Sequence, residues 1–167
     1  TPLVSIIMGS TSDLPVMEKA ARQLDELAIP FEILALSAHR TPDEVAEFAR
    51  GAEERGVRVI IAGAGMAAHL CGVIASMTPL PVIGVPIKAT LDGMDALLAI
   101  VQMPPGIPVA TVGINGAQNA ALLAAQMLSL GDADLKKRLK AFKEGLKEKV
   151  VRANADLKEV KYNFKTN

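Results

Sequence analysis

Hydrophobic runs of six or seven residues alternate along this chain with longer stretches whose apolar positions recur every three or four residues. "LVSIIMG" (3–9) reads as a strand, followed by "STSD" and an amphipathic stretch to about Ala28. "FEILAL" (31–36) is a second strand and precedes a helix from about Pro42 to Arg55. "VRVIIAG" (57–63) is a third, with "AGMAAHLCGVIASM" turning into a helix behind it. "PVIGVP" (81–86) leads into the helix "DGMDALLAIVQM" (92–103), and "PVATVGI" (108–114) into the helix "GAQNAALLAAQMLSL". Strand runs of this length joined by helical patterns predict parallel β-α units.

Five such units predict an α/β fold: a three-layer sandwich with an open parallel sheet between two layers of helices. Five strands suit the flavodoxin-like order 2-1-3-4-5, whereas a full dinucleotide fold would want six. From Asp132 to about Lys158 the pattern changes. Leu135, Leu139, Phe142, Leu146, Val150 and Leu157 form one narrow apolar stripe, with Lys and Glu on the other faces. Such a helix either folds back on its own domain or reaches across to another subunit; the stripe resembles a coiled-coil seam more than a wide core face.

Composition fits this layout. Half of the 167 residues are hydrophobic, mostly Ala, Val, Ile and Leu rather than aromatics, as in a buried parallel sheet. A chain of this length buries about 70% of the surface it exposes unfolded. The single cysteine precludes an internal disulfide and fits a reducing compartment. No apolar run is long enough to span a membrane and no basic-then-apolar leader is seen, so the expectation is a soluble cytoplasmic protein. Thr1 already borders the first strand, which predicts a processed or trimmed initiator. The net charge of zero hides an asymmetry: eleven of the 18 Lys and Arg but only six of the 18 Asp and Glu lie from Asp132 onward. The basic residues of this tail interleave with apolar ones at helical spacing, and the five aromatics form no stacking platform. A solvated helix face is therefore preferred over a nucleic-acid surface.

In an open α/β sheet, ligands bind at the carboxyl ends of the strands where the order reverses. Order 2-1-3 makes neighbours of "GSTSD" (9–13), "SAHRTPD" (37–43) and "GAGMAAHL" (63–70), which hold almost every reactive side chain. "GSTSD" places hydroxyls and an acid at a helix start; this is an N-cap in the first instance, and an anion site when similar loops lie beside it. Gly63, Gly65 and Ala68 match G-x-G-x-x-A, but after the third strand and with no acid ending the next one, which favours a nest for a carboxylate over a pyrophosphate site. His69, four residues inside the third helical region, reads first as a structural group. His39 lies in a loop at the functional edge between Ser37 and Arg40, and imidazole both gives and takes protons near neutral pH. No Walker A sequence, zinc spacing, magnesium-binding acid cluster or G-x-S-x-G elbow is present.

"MGSTSD", "SAHRTPD", "IIAGAGMAAHL", "LPVIGVP", "AIVQMPPGIPVAT" and "NAALLAAQML" run in this order from Val4 to about Leu130. Together they resemble the 5-(carboxyamino)imidazole ribonucleotide mutase family of purine biosynthesis, the bacterial-type phosphoribosylaminoimidazole carboxylase catalytic subunit. The resemblance implies a flavodoxin-like fold in a homo-octamer whose neighbouring subunits complete the sites. It implies a small ribonucleotide substrate and carboxyl transfer from an exocyclic nitrogen to carbon 4 of the imidazole, without metal, ATP or organic cofactor; the charge pattern and hydropathy above add the expectation of no nucleic-acid or membrane partner. By the motif match, His39 is the general acid and base. Ser10, Ser12, Asp13, Ser37 and Arg40 hold phosphate and ribose, and Gly65, Met66, Ala67, His69 and Leu70 surround the carboxyl group. The expected division is a single domain over 1–131, with 132–167 a helical extension packing on a neighbouring subunit.

Met66 and Cys71 stand where the family usually has glycine and proline, and a positive φ at 66 would strain a methionine. "KATLDGMDAL" also departs from the usual fourth loop. The alternatives are a related carboxylase that adds carbon dioxide directly to the decarboxylated ribonucleotide, a non-catalytic nucleotide-binding module of the universal-stress type, and a flavin carrier. The last two lack their Gly-Ser ending and stacking aromatics here.

Overall fold

Side chains alternate across a strand, so a sheet covered on both faces needs apolar residues at every position. That is the state of β1 (Val4–Met8), β3 (Val59–Gly65) and β4 (Val82–Ile87), which are buried along almost their whole length in the computed structural model. The structure describes residues 1–167. With β2 (Phe31–Ala35) and β5 (Ala110–Thr111) these strands form one parallel sheet in the flavodoxin-like order β2-β1-β3-β4-β5. The one polar residue inside β1, Ser5, is fully buried and donates from Oγ to Glu32 Oε1 at 2.7 Å.

Two cores flank the sheet. Val4, Ile6, Met8, Val59, Ile61, Ile83 and Val85 face α1 (Leu14–Glu26) and α5 (Ala117–Ser129). Ile7, Ile60, Ala62 and Val82 face α2 (Pro42–Gly51), α3 (Leu70–Ala75) and α4 (Met94–Val101). Each large aliphatic side chain buried this way contributes about 1.5–3 kcal/mol relative to exposure. Ala117, Ala120, Ala121, Ala124 and Ala125 are fully buried, and these small residues let α5 lie against both the sheet and α1.

The fifth strand is shorter than its sequence run of 108–114, because only Ala110 and Thr111 pair with β4. Farther along, Pro86 accepts from the Asn115 N–H but has no N–H of its own to return, so the ladder lapses there. The long α6 (Ala133–Glu159) begins at Asp132, whose side chain accepts from the Leu135 N–H at 2.9 Å. Leu135 and Leu139 are buried in the α1/α5 core, and Arg138 Nε donates to the Leu27 carbonyl at 2.9 Å. Beyond Phe142 the stripe leaves the domain: Leu146, Val150 and Leu157 are 49%, 63% and 57% exposed. No helix is long and apolar enough to cross a membrane.

Candidate functional site

Register decides which loops meet. Met8, the last residue of β1, is level with Ala35 of β2 on one side and Gly63 of β3 on the other. The loops that follow therefore leave the sheet side by side and enclose a cavity of about 490 Å³. A larger cavity, about 680 Å³, lies at the opposite edge and contains no histidine.

The first loop closes on itself. Ser10 Oγ accepts from the Ser12 N–H at 3.3 Å and from its hydroxyl at 3.0 Å, capping a 3₁₀ turn over Thr11–Asp13 that runs into α1. Asp13 lines the cavity at the start of α1, and burial pushes its carboxyl pKa up. The Arg40 guanidinium and a backbone hydrogen bond at Ser10 offset that in part.

The second loop is tied at its base and presents its apex. The Thr41 N–H donates to the Ser37 carbonyl at 2.8 Å, and the Ser37 N–H donates to Thr41 Oγ1 at 2.9 Å. Pro42, at the first position of α2, starts the helix immediately afterwards. His39 and Arg40 are left at the exposed apex. Arg40 Nε and its backbone N–H both donate to Ser37 Oγ at 3.2 Å, and Nη2 donates to the Gly9 carbonyl at 2.7 Å. Two of the guanidinium's five donors thus fix its plane, leaving three for an anion.

The third loop runs from Gly65 to His69. A Cβ on Gly65 would stand 3.2 Å from the Ile87 carbonyl oxygen and 3.3 Å from Ala89 Cβ, so a larger residue would require the third and fourth loops to part by a few tenths of an ångström. Met66 takes φ 53°, the left-handed conformation expected of the family's glycine, with its side chain 56% exposed. An L-residue held there costs about 1–2 kcal/mol. This kink also corrects the placement of His69. The residue lies just ahead of α3, which begins only at Leu70, and not four residues inside a helix. Its ring is consequently free to turn outward, and His69 Nδ1 lies 2.8 Å from His39 Nε2, the ring centroids 4.9 Å apart and nearly perpendicular.

All eleven residues singled out by sequence line this one cavity: Ser10, Ser12 and Asp13 from the first loop; Ser37, His39 and Arg40 from the second; Gly65, Met66, Ala67, His69 and Leu70 from the third. Sequence reading missed Gly9, whose carbonyl orients Arg40, and Ala89, which reaches in from the fourth loop. It also missed the contact between the histidines, which stand 30 positions apart. The clue available for that contact was the strand order. Cys71, behind this wall, is fully buried, donates from Sγ to the Ala62 carbonyl at 3.3 Å, and has its thiol pKa pushed up to about 12 by burial. No three His, Cys, Asp or Glu residues are grouped so that they could hold a metal ion.

Chemically, the cavity offers a cationic fork with hydroxyls at one end, a loop of small residues at the other, and two imidazoles between them. The N5-carboxyaminoimidazole ribonucleotide mutase of Pyrococcus abyssi is 60% identical over 147 residues, covering 87% of this chain and 84% of that protein. Its counterpart from Thermotoga maritima is 55% identical over 162 residues, covering 96% and 95%. The crystal structure of Treponema denticola PurE superposes with a TM-score of 0.86 at 32% identity, covering 95% of this chain and all of that one. The family model described as AIR carboxylase matches residues 3–149, and this chain therefore belongs to the AIR carboxylase family.

Proposed function

We infer that this chain is an N5-carboxyaminoimidazole ribonucleotide mutase of purine biosynthesis, moving a carboxyl group from the exocyclic nitrogen to carbon 4 of the imidazole. A single feature carries the geometric side of this reading: the chain's only two histidines meet in a cavity whose other end is an oriented arginine among serine hydroxyls. The identity of 55–60% to proteins that bear this name carries the rest.

The reaction needs what these residues can supply. A carbamate falls apart once its nitrogen is protonated, so an acid must reach that nitrogen. The released carbon dioxide must stay beside the electron-rich ring carbon until attack, which requires a confined nest. The proton on that carbon must then leave to a base. His39 is the general acid and base in this scheme, one imidazole alternating roles between the two proton steps. Arg40, Ser10, Ser12, Ser37 and Asp13 hold the phosphate and ribose, so that binding energy at the remote end fixes the ring at the reacting one. Gly65, Met66, Ala67, His69 and Leu70 surround the carboxyl group.

We place the protein in the cytoplasm and assign it to a homo-octamer. The exposed outer stripe of α6 supports the assembly, as do Leu91, Met94, Leu98 and Val101, all 46% or more exposed along α4 and the turn before it. Light scattering should give the octamer mass; a monomer would remove that part of the reading.

The deciding assay uses purified protein with excess chelator and no ATP. It supplies 5-(carboxyamino)imidazole ribonucleotide and follows the ring-carboxylated isomer. Formation faster than in the enzyme-free control is the expected result, and loss of it in His39→Asn locates the acid. Turnover seen only with the decarboxylated ribonucleotide and bicarbonate would make the chain a direct carboxylase instead.

A further inference from the structure

One wall of the cavity is held by a residue that does not line it. Ala89, just beyond β4, reaches into the cavity, and Gly65 on β3 is level with Ile87 of β4. The Ile87 carbonyl and the Ala89 methyl stand close over Gly65, where a Cβ would meet them at 3.2 and 3.3 Å. On its other side this end of β4 has no strand to lean on. The register with β5 ends at Gly84 and Thr111, and Pro86 brings no N–H to continue it.

Asn115, in the loop after β5, fills that gap. Its N–H donates to the Pro86 carbonyl at 2.8 Å, and its Oδ1 accepts from the Lys88 N–H at 2.9 Å, so a single residue grips β4 on both sides of Ile87. The grip needs a left-handed backbone, and Asn115 has φ 57°. Asn and Asp adopt that conformation far more readily than other residues with side chains. The half-buried Asn115 side chain makes no other hydrogen bond. Its neighbour Ile114 braces the far end of the same fourth loop, because a Cβ on Gly93 (φ 85°) would lie 2.7 Å from Ile114 Cγ2.

We propose that Asn115 is a positioning residue for the reaction: by clamping β4 at Pro86 and Lys88 it holds Ala89 and the Ile87 carbonyl against Gly65, closing one wall of the carboxyl nest. The proposal rests on the mutase reading above. Carbon dioxide carries no charge for a side chain to grip, so only the walls keep it beside carbon 4 until attack. A shift of about 1 Å in such a wall is enough to cost about 100-fold in rate. The phosphate end is different. Arg40 and the serines hang on the loops after β1 and β2, which Asn115 does not touch, so substrate affinity should survive its loss.

Two variants of the full chain separate the parts of the clamp. Asn115→Gly keeps the left-handed backbone and its N–H but removes Oδ1; Asn115→Asp keeps an acceptor in the same place. Each is supplied with the N-carboxylated ribonucleotide, and ring-carboxylated isomer and free aminoimidazole ribonucleotide are measured above an enzyme-free control. In Asn115→Gly, kcat for isomer formation should fall by about 10–100-fold, with a larger share of substrate released as aminoimidazole ribonucleotide. KM should stay within about threefold of wild type. Hydrogen exchange in the Pro86–Thr90 segment should quicken by about tenfold or more. Asn115→Asp should resemble the wild type in every readout. Wild-type turnover and partition in Asn115→Gly would overturn the proposal. So would a loss that merely follows the amount of folded protein, with partition and exchange unchanged, since that is what a purely structural residue gives. An Asp variant as impaired as the Gly variant would overturn the role of Oδ1. Failure of the wild type to form isomer would strike the mutase reading instead, and exchange would still judge the clamp: an unchanged rate in Asn115→Gly refutes it.

Discussion

Replacing Gly84 with alanine should loosen the sheet beneath the site. Gly84 is buried in the middle of β4, and a Cβ there would lie 2.4 Å from Ile100 Cγ2, 3.0 Å from Val109 Cγ1 and 3.3 Å from Cys71 Sγ. Ordinary contact begins at 3.4 Å, so the Ile100 methyl must retreat by about 1 Å. It cannot do so alone. Ile100 is fully buried in α4, and a β-branched residue in a helix has one strongly preferred χ1 rotamer. The helix must move instead, which costs about 1–3 kcal/mol. A chain of this size loses about 2–4 °C in Tm per kcal/mol, so a drop of about 2–12 °C is expected.

A cycle with Ile100→Ala isolates the cause. That change alone costs about 2–5 kcal/mol for the cavity it leaves. In the double variant the new methyl enters the vacated space. The two losses should then fall short of their sum by about 0.5–3 kcal/mol, read from urea midpoints at constant m. Cys71 is the second residue of α3, two residues after His69, so turnover should fall in Gly84→Ala and recover in part in the double variant. Strict additivity, or a Gly84→Ala protein as stable as the parent, would refute the packing argument. Gly63→Ala provides a contrast, because its nearest neighbour is the end of the flexible Met17 side chain; its cost should be the smaller.

Glu32 is held below the usual carboxylate range, first by its hydrogen bonds from Arg55 at 2.6 and 3.1 Å, with a further one from Ser5. Its contribution is therefore complete above the ordinary value of 4.5 and is lost as pH falls through the lower folded value. Glu32→Gln should flatten the stability difference between pH 7 and pH 3 by at most about 1 kcal/mol, since Arg55 is largely exposed; an unchanged difference would contradict the pairing. Asp13 has the opposite sign: its raised pKa means that the ionised carboxyl weakens the fold at neutral pH. Asp13→Asn should then be slightly more stable than wild type at pH 7 and equal to it at pH 3, while binding substrate more weakly. Equal stability at both pH values would contradict it. Cys71, buried with its thiol pushed up to about 12, should react with iodoacetamide at pH 8 at least about 100-fold more slowly than in the denatured chain. Rapid labelling of the native protein would mean that α3 opens readily.

Apolar runs and helical spacing were enough to read five β-α units, because a parallel sheet buried on both faces leaves few other ways to write β1, β3 and β4; the order followed from the number of units, which suits the flavodoxin-like arrangement. Boundaries were less legible where a backbone conformation overrides composition. "GMAAHL" has the residues of a helix start, but the left-handed Met66 delays the helix to Leu70. "PVATVGI" has the residues of a full strand, but Pro86 on its neighbour curtails the pairing. The site residues were legible as three separate loops whose motifs resemble a known family. The hydrogen bonds that aim them were not, since the Gly9 carbonyl and the facing ring nitrogens depend on distances that no spacing encodes.

Every one of those eleven residues lies between positions 10 and 70, while β4, α4 and α5, which pack beside and beneath their strands, all lie after position 80. During synthesis the reactive loops emerge first, joined to strands whose inner faces still lack α5 and β4. Ile61 on β3 gains its cover from α5 only when Ala117–Ala125 arrive, about fifty residues after the last site residue has been made. A nascent chain halted before that point would hold the full chemical inventory and still expose apolar strands, the condition in which chains aggregate or recruit chaperones. Damage to the exposed loop side chains should accordingly yield a folded but inert protein, and damage to β4 or α5 too little protein to assay.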